Sequence, residues 1–271
     1  MHLAKIFFNF YIDSSIHVAL SVYALIRITF FKLHLPYDEP VAYFGFYGTI
    51  VGYNFIKYDA LARVKRIKLT PTFKAIIGLS FFAALATLYY FFQLQQITKI
   101  FGFGALLITL LYTLPFIPKR TNMRNWAGVK IYLVALAWVV VTVWLPVMNA
   151  DYGFDAIVLI KSVQRFILVF VLMLIFEIVD LQNDAESLQT IPQKIGVKRS
   201  KYLSYLLLVL FLLLDSLKPE ITAIDCTITL VVSVILVLFT FFVSPQKSKY
   251  YTSFWVEAVP VFWWILLLIN G

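Results

Sequence analysis

About nine apolar runs, each long enough to cross a hydrocarbon layer of ~30 Å, follow one another along this chain and leave little else to fold. They lie near 14–35, 40–57, 72–92, 99–117, 128–148, 156–179, 200–217, 223–243 and 252–270. Turn and charge signals separate them: Pro36 with Asp38 and Pro40, Pro71, Pro118 with Lys119 and Arg120, Asp151 with Gly153, Pro219 and Pro245. Lipid offers backbone groups no partners, so each run must satisfy its own hydrogen bonds as a helix. The fold class is therefore all-α: a polytopic membrane protein of about nine transmembrane helices, in one domain over residues 1–271. Charged residues make up only 14% of the chain, against ~25% in soluble domains, which excludes a soluble fold with a large core. The first 13 residues mix Lys5 and Asp13 with Phe and Tyr and lack a small-residue cleavage site, so the first run is expected to stay as a span.

A net charge of +9 is topology rather than a nucleic-acid footprint, because the basic residues sit in short loops. With the N-terminus inside, the inner segments hold Lys5; Lys57, Arg63, Lys65, Arg66, Lys68 and Lys74; Lys119, Arg120, Arg124 and Lys130; Lys194, Lys198, Arg199 and Lys201; Lys247 and Lys249. The remainder are Arg27, Lys32, Lys99, Lys161, Arg165 and Lys218, and the outer loops carry acids such as Asp38, Asp151 and Asp225. The expected topology is N-terminus cytoplasmic and C-terminus outside, in a prokaryotic cytoplasmic membrane. Arg27 and Arg165 fall within spans; each must pair, reach water or line a polar cavity. The single Cys226 excludes an internal disulfide, and His2, His17 and His34 lack metal-ligand spacing.

Against this apolar background the stretch 176–199 stands out. Glu177, Asp180, Asp184 and Glu186 lie within ten positions, in a chain with 14 acids. On a helix, Glu177, Asp180 and Asp184 share an arc of roughly 60° and span about 10 Å. Such a face at a membrane mouth is costly unless a cation binds it. Two basic stretches reach the same expected side. After the second run, Asn54, Lys57, Tyr58, Leu61 and Lys65 share one helical face, while Asp59 points about 140° from Asn54. They form either an anchor for anionic headgroups or a polar lip for a phosphate. After the fourth run, Tyr112, Pro115 and Pro118 precede Lys119, Arg120 and Arg124. Positive-inside topology explains these cations, and so does a phosphate ligand. Carboxylates hold Mg²⁺ together with substrate phosphates, and basic groups neutralise the rest, so a lipid diphosphate suits the three stretches together.

The segment DLQNDAESLQTIPQKIG, residues 180–196, resembles the second aspartate-rich motif of the UbiA superfamily of membrane prenyltransferases: Asp180, Asp184, Thr190, Pro192 and Gly196 match, and Leu188 replaces a usual Gly. LYTLPFIPKR, residues 111–120, is similar to a second family stretch at Tyr112, Pro115, Lys119 and Arg120. The first aspartate-rich motif departs: Asn54 is kept, Phe55, Tyr58 and Ala62 occupy acidic positions, and Asp59 is displaced by one. The resemblance implies nine helices around a central cavity and transfer of an isoprenyl group from an isoprenyl diphosphate to a lipophilic acceptor, aromatic, quinone-type or another lipid. It implies that Asp180, Asp184 and Glu177 hold Mg²⁺, as few as one ion. Asn54, Lys57, Lys65, Tyr112, Lys119 and Arg120 would meet the diphosphate, with Asp180, Asp184 and Lys119 at the reacting centre.

Three alternatives stay open at this stage. The chain is a prenyltransferase with a weakened first metal site, a non-catalytic binder of isoprenoid lipids, or a transporter using the intramembrane charges. The last is disfavoured because the acids cluster at one mouth rather than at mid-membrane.

Overall fold

The computed structural model describes residues 2–64, 70–113, 128–217 and 222–270, with the side chains of 2, 59–64, 110–113 and 187 left aside. All of the regular structure among them is helical. A first helix, α1 (His2–Asp13), breaks at Ser14–Ser15 and turns by 55° into α2 (Ile16–Lys32). Then follow α3 (Glu39–Val64), α4 (Pro71–Gln93), α5 (Gln96–Thr113), α6 (Lys130–Asn149) and α7 (Ala156–Asp180). The last three are α8 (Ile191–Leu213), α9 (Ala223–Phe242) and α10 (Tyr251–Asn270). Six of these are long and apolar enough to cross a membrane, and up to seven if the bent α1–α2 pair is one span. With α3 and the shorter apolar α5, the segments match the nine expected runs in order.

The helix starts are written locally. Thr70, Asp155 and Thr222 accept the backbone N–H of Phe73, Val158 and Asp225 at 3.3, 2.8 and 3.1 Å, which covers donors that a helix start leaves unpaired. Pro71 occupies the first turn of α4, where its missing N–H is harmless. One boundary differs from the apolar pattern. The seventh run was expected at 200–217, yet its helix begins at Ile191, because residues 190–193 carry their own start signal upstream of the apolar stretch.

The helices close on themselves. Along the chain α2 packs on α3, α3 on α4 and α5, α5 on α6, α6 on α7, α7 on α8, α8 on α9 and α9 on α10, which returns to α2. The main core runs between α2 and α7, with Leu25, Ile26, Leu168, Val171, Ile175 and Ile178 fully enclosed. Lipid-like apolar surface gives no burial drive between helices, so polar bonds and tight packing fix the register. Trp138 Nε1 donates to Tyr53 Oη (2.9 Å) between α6 and α3, Trp144 Nε1 to Ser162 Oγ (3.0 Å) between α6 and α7, and Gln164 Nε2 to the Phe211 carbonyl (3.1 Å) between α7 and α8. Phe81, Phe82, Tyr89 and Phe92 of α4 are left exposed, as a lipid-facing surface requires.

Candidate functional site

The acidic stretch is folded by its own residues. Helix α7 ends at Asp180, and the next turn folds back on it: the N–H groups of Asn183 and Asp184 both donate to the Asp180 carbonyl, at 2.8 and 2.9 Å. A single 3₁₀ turn, Glu186–Leu188, leads to Thr190. There the Thr190 N–H donates to Gln193 Oε1 at 2.8 Å, the Gln half of a capping box that starts α8, with Pro192 in the first turn. Gln193 Nε2 reaches back to the carbonyls of Asp184 (3.3 Å) and Ala185 (3.2 Å), closing the loop. Gly196 then takes φ 81°, ψ 159°, a conformation open essentially to glycine alone, and kinks α8 after its first turn. Thr190, Pro192 and Gly196, which carry the motif resemblance, thus each have a backbone task.

The carboxylates divide. Glu177 is almost fully buried, and its Oε2 accepts the Ile191 N–H at 3.2 Å, tying α7 to the start of α8. Asp180 and Asp184 lie in each other's electrostatic field. Asp184 Oδ2 is buried and has no hydrogen-bond partner. Burying a carboxylate oxygen without a partner is costly, and a cation removes that cost. Among the described residues no three His, Cys, Asp or Glu side chains form a metal-holding group. Two carboxylates with an unused buried oxygen nevertheless fit Mg²⁺, which takes one or two protein carboxylates and completes its shell with water and phosphate oxygens.

One cation acts on this site, and a second stands beside its loop. Lys130, the first residue of α6, acts electrostatically on both Glu177 and Asp180. The Gly128 N–H donates to the Leu188 carbonyl at 3.1 Å, pinning the approach to α6 against the acidic loop, and Lys194 Nζ lies 3.7 Å from where a Gly128 Cβ would stand. In the sequence Lys130 counts only as a topology charge; its place at the start of a span facing the acidic one is the signal that marks it.

The first-motif face is engaged elsewhere. Asn54, Lys57 and Tyr58 do share one side of α3, and that side meets the α1–α2 break. Asn54 is buried: its Oδ1 accepts from Ser15 Oγ (2.8 Å) and its Nδ2 donates to Ser80 Oγ of α4 (2.9 Å). Lys57 Nζ donates to Ser15 Oγ (3.0 Å) and the Ile12 carbonyl (3.4 Å), and Tyr58 Oη donates to the Asp13 carbonyl (2.9 Å). Ser15 sits in the left-handed region at φ 64°, so these bonds hold a conformation that a non-glycine residue avoids. None of the three bonds to Asp180 or Asp184. Lys65, Lys119 and Arg120 lie outside the described residues, and of Tyr112 and Asp59 only the helical backbone is described. His17 bridges Tyr11 Oη (2.7 Å) and the Phe254 carbonyl (2.8 Å) and so fastens α2 to α10. Glu257, an ionisable residue inside the last apolar run, interacts with Lys57 across the same junction.

Helix order, closure and apolar character define an integral multi-pass, all-helical membrane protein. Its fold is that of the UbiA homologues. The ligand-free structure of a UbiA homologue from Aeropyrum pernix K1 superposes with a TM-score of 0.63 at 15% identity, over 96% of this chain and 98% of that one. A UbiA homologue from Archaeoglobus fulgidus bound to DMAPP and Mg²⁺ gives 0.62 at 12% identity with the same coverage. A structure of digeranylgeranylglyceryl phosphate synthase gives 0.57 at 15% identity, over 99% and 96% of the two chains. No protein-family model and no curated protein sequence matches the chain.

Proposed function

We propose that this chain is a UbiA-family intramembrane prenyltransferase that moves an isoprenyl group from an isoprenyl diphosphate to a lipophilic acceptor, aromatic, quinone-type or another lipid. The observation that carries the reading is Asp184 Oδ2, buried without a partner beside Asp180, on a loop shaped by the motif residues within a UbiA fold. By the charge count this end of the bundle faces the cytoplasm.

Asp180 and Asp184 would hold Mg²⁺, which when bound offsets charge on the departing diphosphate. Lys130 and Lys194 add positive charge at the same mouth and steady the remaining phosphate oxygens. Glu177 keeps Ile191, and with it the first turn of α8, against the end of α7. In the transfer the allylic C1–O bond breaks, the diphosphate leaves with the electron pair, and the acceptor bonds to C1 and gives up the proton it replaces.

A second reading, an isoprenoid-binding protein without turnover, is favoured by one observation: Asn54, Lys57 and Tyr58 spend their polar atoms on the α1–α2 break. Purified protein incubated with labelled prenyl diphosphates, membrane lipid acceptors and Mg²⁺ separates the two. Mg²⁺-dependent product that disappears in Asp180→Asn and Asp184→Asn supports the transferase. Tight binding with no product supports the second reading, and product formation unchanged in both variants sinks the assigned site.

A further inference from the structure

Past the kink at Gly196, α8 turns one stripe of side chains away from the bundle. Lys198, Lys201, Tyr202, Tyr205, Val209 and Leu213 fall within an arc of about 120° and are exposed or half-buried. The opposite side, with Ser200, Ser204, Leu208 and Phe211, is buried. Along the stripe the chemistry changes in one direction, from amines through phenols to aliphatic groups. From Lys201 to Leu213 the helix runs about 18 Å, close to the ~15 Å depth of one leaflet's hydrocarbon. Beside it α9 leaves Leu238, Phe241 and Phe242 exposed near the same end.

The polar end of the stripe lacks a counter-charge. Lys201 Nζ donates to the Phe241 carbonyl at 2.7 Å, so the carbonyl end of α9 offsets its charge in part. Lys247, on the loop that leaves α9, sets its Nζ 5.3 Å from the Tyr251 ring, and its charge acts on Lys201. Two ammonium groups held in each other's field repel. Among the described residues neither of them, nor Lys198, forms an ion pair. The rings of Tyr202 and Tyr205 meet edge to face at 6.5 Å, and their hydroxyls bond to nothing among the described residues. Positive-inside bias accounts for lysines at this end, but not for two of them drawn together beside free phenols. A phosphodiester meets the whole set: its oxygens accept from amines and phenols, and its charge bridges the two lysines. A zwitterionic headgroup would bring a further cation to three amines, so the fitting lipid is net negative.

We infer that this face of α8 binds one anionic phospholipid of the surrounding leaflet, with its phosphate between Lys201 and Lys247 and its acyl chains along Val209 and Leu213. By the charge count that leaflet is the cytoplasmic one. Neither lysine is among the charges that act on Glu177 or Asp180, so the site is separate from the carboxylate mouth and independent of whether prenyl transfer occurs there. The bound lipid joins α8 to the loop between α9 and α10 and stabilises the bundle by mass action.

The test uses the full chain purified in detergent micelles and titrated with phosphatidylglycerol or with phosphatidylcholine of the same acyl chains, while thermal unfolding is followed. A saturable rise in melting temperature is expected at lower mole fractions of phosphatidylglycerol than of phosphatidylcholine. Lys201→Gln combined with Lys247→Gln should weaken the apparent affinity for phosphatidylglycerol by about 30-fold. Lys247→Gln alone changes only an exposed side chain and should weaken it by about fivefold, which carries the test if the double variant fails to fold. Lys74→Gln removes an exposed charge from α4, at the same expected side, and should leave the affinity within about twofold. The inference is overturned by equal responses to the two lipids, by an unchanged response in Lys247→Gln, or by an equal loss in Lys74→Gln. Stabilisation by inorganic phosphate that matches the effect of phosphatidylglycerol also overturns it.

Discussion

Replacing Asn54 by Ala separates helix packing from ligand binding at the first-motif position. The side chain makes two interhelical hydrogen bonds, to Ser15 Oγ at 2.8 Å and to Ser80 Oγ at 2.9 Å, and is 4% exposed. Bonds of this kind inside membrane proteins are worth ~0.6 kcal/mol on average and ~1.7 at most. The partners are not fully stranded, because Ser80 Oγ still donates to the Ile76 carbonyl (2.8 Å) and Ser15 Oγ still accepts from Lys57. Adding the small void left by the carboxamide puts the loss at about 1–3 kcal/mol. Unfolding of the purified variant in mixed detergent micelles, followed by tryptophan fluorescence, should report that loss. The affinity for a prenyl diphosphate should meanwhile stay within about threefold. Unaltered stability with a tenfold or greater loss of diphosphate affinity would refute the reasoning and return Asn54 to the ligand role that the motif resemblance implies.

The acidic loop yields three further expectations. Asp184→Asn should cut Mg²⁺-dependent turnover by about 100-fold or more while leaving the melting temperature within a few degrees, since its Oδ2 bonds to nothing in the protein. Glu177→Gln preserves an acceptor for the Ile191 N–H and should fold normally, whereas Glu177→Ala should lose about 1–3 kcal/mol; loss of Mg²⁺ affinity in the Gln variant, read by titration, would instead make Glu177 a ligand. Gly196→Ala meets no steric obstacle, so its expected cost of about 1–3 kcal/mol comes from backbone conformation alone, and circular dichroism melts would measure it.

Much of the bundle is legible from hydropathy, because lipid forces every apolar run to satisfy its own backbone. The seventh span shows where that signal stops: Thr190, Pro192 and Gln193 start a helix nine residues before the expected apolar run, and Gly196 bends it, so local capping outran hydropathy. Likewise the shared face of Asn54, Lys57 and Tyr58 follows from helical periodicity, but what that face meets is set by Ser15, some 40 residues away and held in a left-handed turn.

Charge is the harder case, since two physical causes write the same letters. Positive-inside topology and a phosphate site both put Lys at a helix start, so Lys130 is indistinguishable from a topology charge until α6 is seen beside α7. Arg165 is the converse: a guanidinium within an apolar run announces a polar partner, but the sequence leaves open whether that partner is a carboxylate, water or an ion. Only the packing of α2 and α6 around it shows that its guanidinium donates to neutral oxygens there: the Leu25 carbonyl and the hydroxyls of Thr29 and Thr142. At the far end of α7 the converse holds: the sequence places Asp184 among other acids, but only the folded loop shows that its Oδ2 is buried with no partner, a position that a bound cation would relieve.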